Sequence, residues 1–317
     1  MRGASDARLD ALDASIPMLD AHPSQGWAAT RFHCLAATAC LALAGALSVY
    51  VMFADAGPFR YDVIALYMLG ALFMHAGTDR LSEALLLGRG SRAAALDAPS
   101  PPSVRTSMRT ATFSRDVAIA SACMIVGAIA GALVMLRLPS EAWPALLMLG
   151  AVFGACVIAY CAAAATHRRL ASDAIAVMVV GGLIPFGAGL VIALRWTALP
   201  TLMVLPLTML VVARRIGTHV RVAEPGVADG RALRGAIALL IVSAYLAAFG
   251  QYAVGLSFSL LAALSLPYAI AAIRRLVRAP QSPADAFALQ RALGPLATSF
   301  AALTVLAFAL TAVLAPR

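Results

Sequence analysis

Nine apolar stretches, each near the length that a helix needs to cross a bilayer, fill residues 29–315, and the arginines gather between alternate pairs of them. A spanning helix takes about 20 apolar residues. The stretches run over 29–53, 61–78, 116–137, 142–165, 172–194, 198–213, 232–250, 252–273 and 292–315. The sixth is short and bracketed by Pro200 and Pro206. Only Gly250, Gln251 and Gly255 divide the seventh from the eighth, so a count of eight stays open. Of the residues, 62% are hydrophobic and 12% charged. Water-soluble domains are about 45–50% apolar and about 25% charged, so lipid is the solvent for which this chain is built. The pattern predicts an all-α polytopic membrane helix bundle of about nine transmembrane helices.

Charge sets the expected orientation. Seventeen arginines fall after the second, fourth, sixth and eighth stretches, whereas four (Arg60, Arg137, Arg195 and Arg317) fall on the opposite side. Arg2, Arg8 and Arg31 precede or open the first stretch. The alternation favours an odd number of spans, and by the positive-inside rule it predicts a cytoplasmic N-terminus and an outer C-terminus. Cytoplasmic loops are expected near 79–115, 166–171, 214–231 and 274–291. Residues 1–28 form a cytoplasmic tail in which Leu9, Leu12, Ile16 and Leu19 share one helical face, so an interfacial amphipathic helix and a plain tail are both open. Residues 29–317 make one transmembrane domain. Residues 97–107 are rich in proline and serine and cannot be helical throughout.

Composition narrows the partners. All 24 basic residues are arginine, and alanine is abundant, which reads as a GC-rich bacterial genome and a multi-pass protein of the bacterial inner membrane. The net charge of +9 sits at span ends, so membrane lipids with anionic headgroups are the expected partners and nucleic acid is not. The five cysteines all lie within spans without a Cys-x-x-Cys pair, and act as small apolar packing residues. No classical signal peptide is expected, since acids precede the first span. A small-solute transporter ranks last, because the spans carry no run of buried acids and no clear repeat.

Charged residues at span ends are the candidates for chemistry. His75, Asp79 and Glu83 follow one another at a spacing of four, which puts them on one helical stripe. Two carboxylates on one face could hold a divalent cation, and Arg89 and Arg92 beyond them could clamp a phosphate. A set of salt bridges that ends the helix is the plainer alternative. Arg214, Arg215, His219, Arg221 and Glu224 form a second group after the sixth stretch, where an anion site and ordinary topology signal are both open. Asp173, beside His167, Arg168 and Arg169, suits a helix cap or dipole partner. Gly181, Gly182, Pro185, Gly187 and Gly189 crowd the fifth span, where small residues allow close approach and proline opens the helix.

Taken together, these segments resemble the UbiA superfamily of intramembrane prenyltransferases, closest to its menaquinone-pathway (dihydroxynaphthoate polyprenyltransferase-like) branch. Thr30-Arg31-Phe32 with Ala44-Gly45 is similar to the family's first-helix pattern. The run from His75 through Asp79 and Glu83 to Arg89-Gly90 resembles its first Asp-rich motif. Arg169 and Asp173 through Gly182 and Pro185 resemble the opening of helix five, and Pro267, Arg274, Arg275 and Pro280 the final cytoplasmic loop. Both Asp-rich motifs are degenerate. Ser82 and Glu83 stand on the Asn-Asp pair, Leu86 and Arg92 on later acids, and Ala213, Gly217 and Arg221 on the second motif.

The resemblance implies transfer of a prenyl group from a prenyl diphosphate to an aromatic or other hydrophobic acceptor. Asp79 and Glu83 would be the catalytic and Mg²⁺-holding residues, in a site poor in metal ligands. Arg89, Arg92, Arg214, Arg215 and Arg221 would bind the diphosphate, with Arg31, His75, Asp173 and His219 as further pocket residues. The alternative is a catalytically degenerate relative that binds an isoprenoid or quinone, or assists a partner enzyme.

Overall fold

The computed structural model describes residues 23–53, 59–97, 104–166, 169–217, 220, 229–278 and 283–314. Helices α1 (Pro23–Met52), α2 (Tyr61–Asp97), α3 (Val104–Arg137) and α4 (Trp143–Ala165) come first. The fifth expected span is composite: α5 (Arg169–Val177), a π-helical turn over Met178–Leu183, and α6 (Ile184–Ala193). Then come α7 (Leu199–Met203), α8 (Leu205–Gly217), α9 (Asp229–Ala253), a 3-10 stretch over Ser257–Ser265, α10 (Leu266–Arg278) and α11 (Pro283–Leu314). No strand occurs among the described residues. The chain is a multi-pass membrane protein of all-α fold. Seven segments among the described residues are long and apolar enough to cross a bilayer.

The other two expected spans are helical but differ in kind. α2 carries Asp62 and His75 inside its apolar part, which lowers its hydropathy. The sixth breaks into α7 and α8 at Val204, where Pro206 has no N–H to continue the helix. Gly255, at φ +99°, makes the turn that separates α9 from the segment leading into α10. A left-handed φ of this kind costs glycine little, which explains the division of the seventh and eighth stretches. The loop expected over 79–115 is largely helix instead, since α2 runs on to Asp97 and α3 starts at Val104. The tail over 1–22, with its amphipathic stripe, lies outside the described residues.

α1 and the composite fifth span form the inside of the bundle, each 56% buried over its apolar window, whereas α3 and α4 are 22% and 17% buried and face lipid. α1 contacts α2, α6 and α11. Glycine makes the closest approach possible: a Cβ on Gly45 of α1 would stand 2.7 Å from the Pro185 carbonyl oxygen and 2.8 Å from its Cα. In lipid such close backbone packing replaces the hydrophobic drive that water would supply.

Pro185 opens its own helix, and neighbours repair the damage. It offers no N–H to the carbonyl of Gly181, four residues earlier. Thr208 of α8 shares its hydroxyl between that oxygen at 3.2 Å and its own Val204 carbonyl at 3.3 Å, while Thr201 donates to the Gly182 oxygen at 3.3 Å and Tyr67 to the Ile184 oxygen at 2.8 Å. In hydrocarbon an unpaired carbonyl costs several kcal/mol, so these hydroxyls are what make the π-turn tolerable.

The helix order gathers two unlike ends. One holds Arg60, Asp62, Arg137, Trp143, Arg195 and Trp196: Arg137 pairs with Asp62 at 3.0 Å, Arg195 lies over the Phe53 ring, and Trp143 donates to the Met135 carbonyl. Aromatic rings and few arginines suit an interfacial belt. The opposite end collects the described candidate site residues His75, Asp79, Asp173, Arg214 and Arg215.

Candidate functional site

The site begins with the i, i+4 spacing of His75 and Asp79 on α2. Their side chains meet at 3.2 Å through Nε2 and Oδ2, 14% and 28% exposed. Thr38 of α1 reaches the other ring nitrogen, Nδ1, at 2.7 Å. An ionised carboxylate can only accept, so Nε2 carries the proton that faces Asp79. The Thr38 hydroxyl also donates to the Cys34 carbonyl at 3.1 Å, which fixes it beside the ring. One helical turn further on, Ser82 donates to the Asp79 backbone carbonyl at 2.8 Å.

Across from α2, Arg215 in the last turn of α8 donates through Nε to the Asp173 carboxylate at 2.5 Å and through Nη2 to the Tyr160 hydroxyl at 3.0 Å. These three residues come from α8, α5 and α4. Burial works against a charge on Arg215, but Tyr160 and Asp173 outweigh it and hold the guanidinium pKa above its ordinary value. Tyr160 also lines the same cleft as His75 and Asp79. It therefore stands between the α2 pair and the Arg215–Asp173 pair.

Beneath this polar chain lies a narrow cleft lined by His75, Asp79, Tyr160, Cys156, Val179 and Ile184, among other residues. Its free volume is about 40 Å³, room for two or three waters. The cleft walls are mostly apolar below and polar above. A ligand with a charged head and a greasy tail matches that division, but a long tail needs the helices to part.

The structure thus brings His75, Asp79, Asp173 and Arg215 together. Arg214 turns elsewhere and interacts with His33 of α1, whose ring also meets Thr298 of α11 at 3.3 Å. Arg80 pairs with Asp116 of α3 at 3.5 Å and ties two neighbouring spans together. The side chains of Arg31, Glu83, Arg89 and Arg92 lie outside the described residues, as do His219 and Arg221 entirely. Sequence reasoning missed Thr38 and Tyr160. A tyrosine close to the arginine-rich end of an alanine- and cysteine-rich span was the available signal for Tyr160.

A Mg²⁺ ion needs several oxygens in near-octahedral array. Among the described residues no three His, Cys, Asp or Glu side chains come together. Asp79 faces His75 and Asp173 faces Arg215, so these acids already serve cations of the chain itself. The described donor set does not fit a Mg²⁺ cage. No family model matches the chain, and no curated protein is significantly similar to it in sequence.

Proposed function

We propose that this protein is an intramembrane prenyltransferase resembling the UbiA superfamily, in the bacterial inner membrane, with its reaction at the arginine-rich, cytoplasmic end of the bundle. One observation carries the reading: polar residues from α2, α4, α5 and α8 converge at one end of an apolar cleft, where Tyr160 accepts from Arg215 and lines the cleft beside His75 and Asp79. A prenyl diphosphate has the same two-part character.

In this reading Arg215 faces the diphosphate, helped by Arg89, Arg92 and Arg221 of the arginine-rich segments, and guanidinium charge takes over work that acids with metal ions do elsewhere. The allylic C–O bond breaks and diphosphate leaves with the bonding pair. A carbon of the aromatic or other hydrophobic acceptor attacks the allylic cation, and the proton it loses passes to Asp79. Glu83 is the second carboxylate assigned to this end. No step is routed through a metal.

The pairing of Asp79 and Asp173 with cations of the chain favours a second reading, in which the same cleft binds an isoprenoid or quinone without turnover.

The test is thermal stability of the purified protein, titrated with geranylgeranyl diphosphate with and without Mg²⁺. A ligand that binds only the folded state raises apparent stability. Stabilisation that Arg215→Gln abolishes supports the diphosphate site, and label transfer to an aromatic acceptor then separates enzyme from binder. No stabilisation under either condition overturns the prenyltransferase reading and favours the second.

A further inference from the structure

A second, larger cavity shares no lining residue with the cleft beneath Tyr160. It lies between α10 and α11, has a volume of about 560 Å³, and is lined by Tyr268, Ala271, Arg275, Ala288, Arg291, Ala292 and Pro295. No acid lines it. Arg275 closes to the end of one span (Phe258–Arg278) and Arg291 to the start of the next (Ala288–Leu314), so both guanidinium groups stand at one membrane boundary. Arg275 reaches across the gap and donates to the Ala288 carbonyl at 2.5 Å, which orients it along the mouth of the cavity.

From that boundary the cavity runs inward. Tyr268 is seven residues before Arg275, about 10 Å deeper at 1.5 Å per residue. Its ring is 49% exposed, on a helix whose Leu266, Ile270 and Val277 also face outward. The floor is alanine and Pro295. Two cationic groups at headgroup depth, a ring and bare alanine surface at acyl depth, and exposure to the side describe a phospholipid in outline.

We propose that this α10–α11 cavity is a binding site for one anionic glycerophospholipid of the surrounding bilayer. Its phosphate sits between Arg275 and Arg291, and its acyl chain lies along Ala271, Tyr268 and Pro295. Two guanidinium groups at one membrane boundary favour a headgroup of net negative charge over a zwitterionic one. Basic pockets between spans take anionic headgroups in the same manner. A free phosphate would use the arginines alone and leave the apolar length of the cavity unfilled, so the lipid is the occupant that matches the whole shape.

Native mass spectrometry of the intact protein in neutral detergent tests this, titrating phosphatidylglycerol against phosphatidylcholine. The wild type is expected to bind the first at least ten-fold more tightly. Joint Arg275→Gln and Arg291→Gln substitution removes the preference, and so does Ala271→Phe, which fills the cavity at unchanged charge. Arg278→Gln, exposed on the same helix but outside the cavity, keeps the preference. Equal loss in Arg278→Gln, or retention in Ala271→Phe, overturns the site in favour of diffuse surface charge. Displacement of phosphatidylglycerol by millimolar inorganic phosphate overturns the lipid as occupant.

Discussion

Thr208 donates its hydroxyl to the carbonyl oxygen of Gly181 at 3.2 Å, across from one helix to the acceptor that Pro185 deprives of its donor. The fifth span stays folded through its π-turn because α8 supplies the missing hydrogen bond. The same span carries Asp173 at its polar end, so this repair and the Arg215–Asp173 contact both lock α5 and α6 against α8.

Thr208→Val removes that donor with little change of shape. The expected loss is about 0.5–1.7 kcal/mol, the range for hydrogen bonds between spans. In a Pro185→Ala background the helix regains an N–H, so the valine substitution costs less. A double-mutant cycle on unfolding in bicelles measures this coupling. Additive costs, within about 0.3–0.5 kcal/mol, would contradict the proposed repair.

Gly45→Ala is expected to be among the most damaging small substitutions in the chain. The new methyl meets backbone atoms of Pro185, which cannot rotate away as a side chain would. Overpacking of this sort costs about 1–3 kcal/mol or more. Gly131→Ala is the control, since a Cβ there meets nothing within 4 Å. Thermal midpoints of the two variants in the same detergent check the contrast.

Arg215→Gln leaves Asp173, 16% exposed, without its guanidinium. Hydrogen bonds to charged groups are worth about 1.5–3 kcal/mol, and partial exposure of Arg215 puts the expected loss toward the lower figure. Adding Asp173→Asn relieves the orphaned charge and recovers part of the stability. Chemical denaturation of the single and double variants reads the recovery; a double variant worse than both singles speaks against the pair.

Asp79→Asn tests the chemistry apart from the fold. The amide keeps the shape and can still accept from His75, so the fold should hold, at a cost of about 1 kcal/mol for one weakened hydrogen bond. Prenyl transfer is expected to fall by about 10²–10⁴-fold, the usual contribution of a positioned acid or base. Label transfer measures it. Wild-type turnover in this variant, or in Glu83→Ala, removes the assigned carboxylates from the reaction.

How much of this was legible beforehand depends on the range of the interaction. The spans, the all-α class and the segregation of arginine follow from local quantities: apolar run length and charge at helix ends. The His75–Asp79 contact was legible too, because a spacing of four sets two side chains on one stripe of any helix. The extension of α2 to Asp97 was not anticipated, since arginines and small polar residues there resemble a loop although they are compatible with helix.

The chain by itself therefore determined the solvent it lives in, the segments that become helices, and which ends of those helices carry charge. Only the tertiary structure decided which charges meet. Asp173 and Arg215 are 42 residues apart, Tyr160 and Arg215 are 55 apart, and Thr38 reaches His75 from another helix. It also decided that Arg214 and Arg215, neighbours in the chain, part company. Successive helical residues point about 100° apart, so which of the two faces Asp173 depends on the roll of α8 against α5 and α11. That roll is set by close fits such as the one at Gly181, where a Cβ would strike Thr208 at 2.2 Å, and no local pattern encodes it.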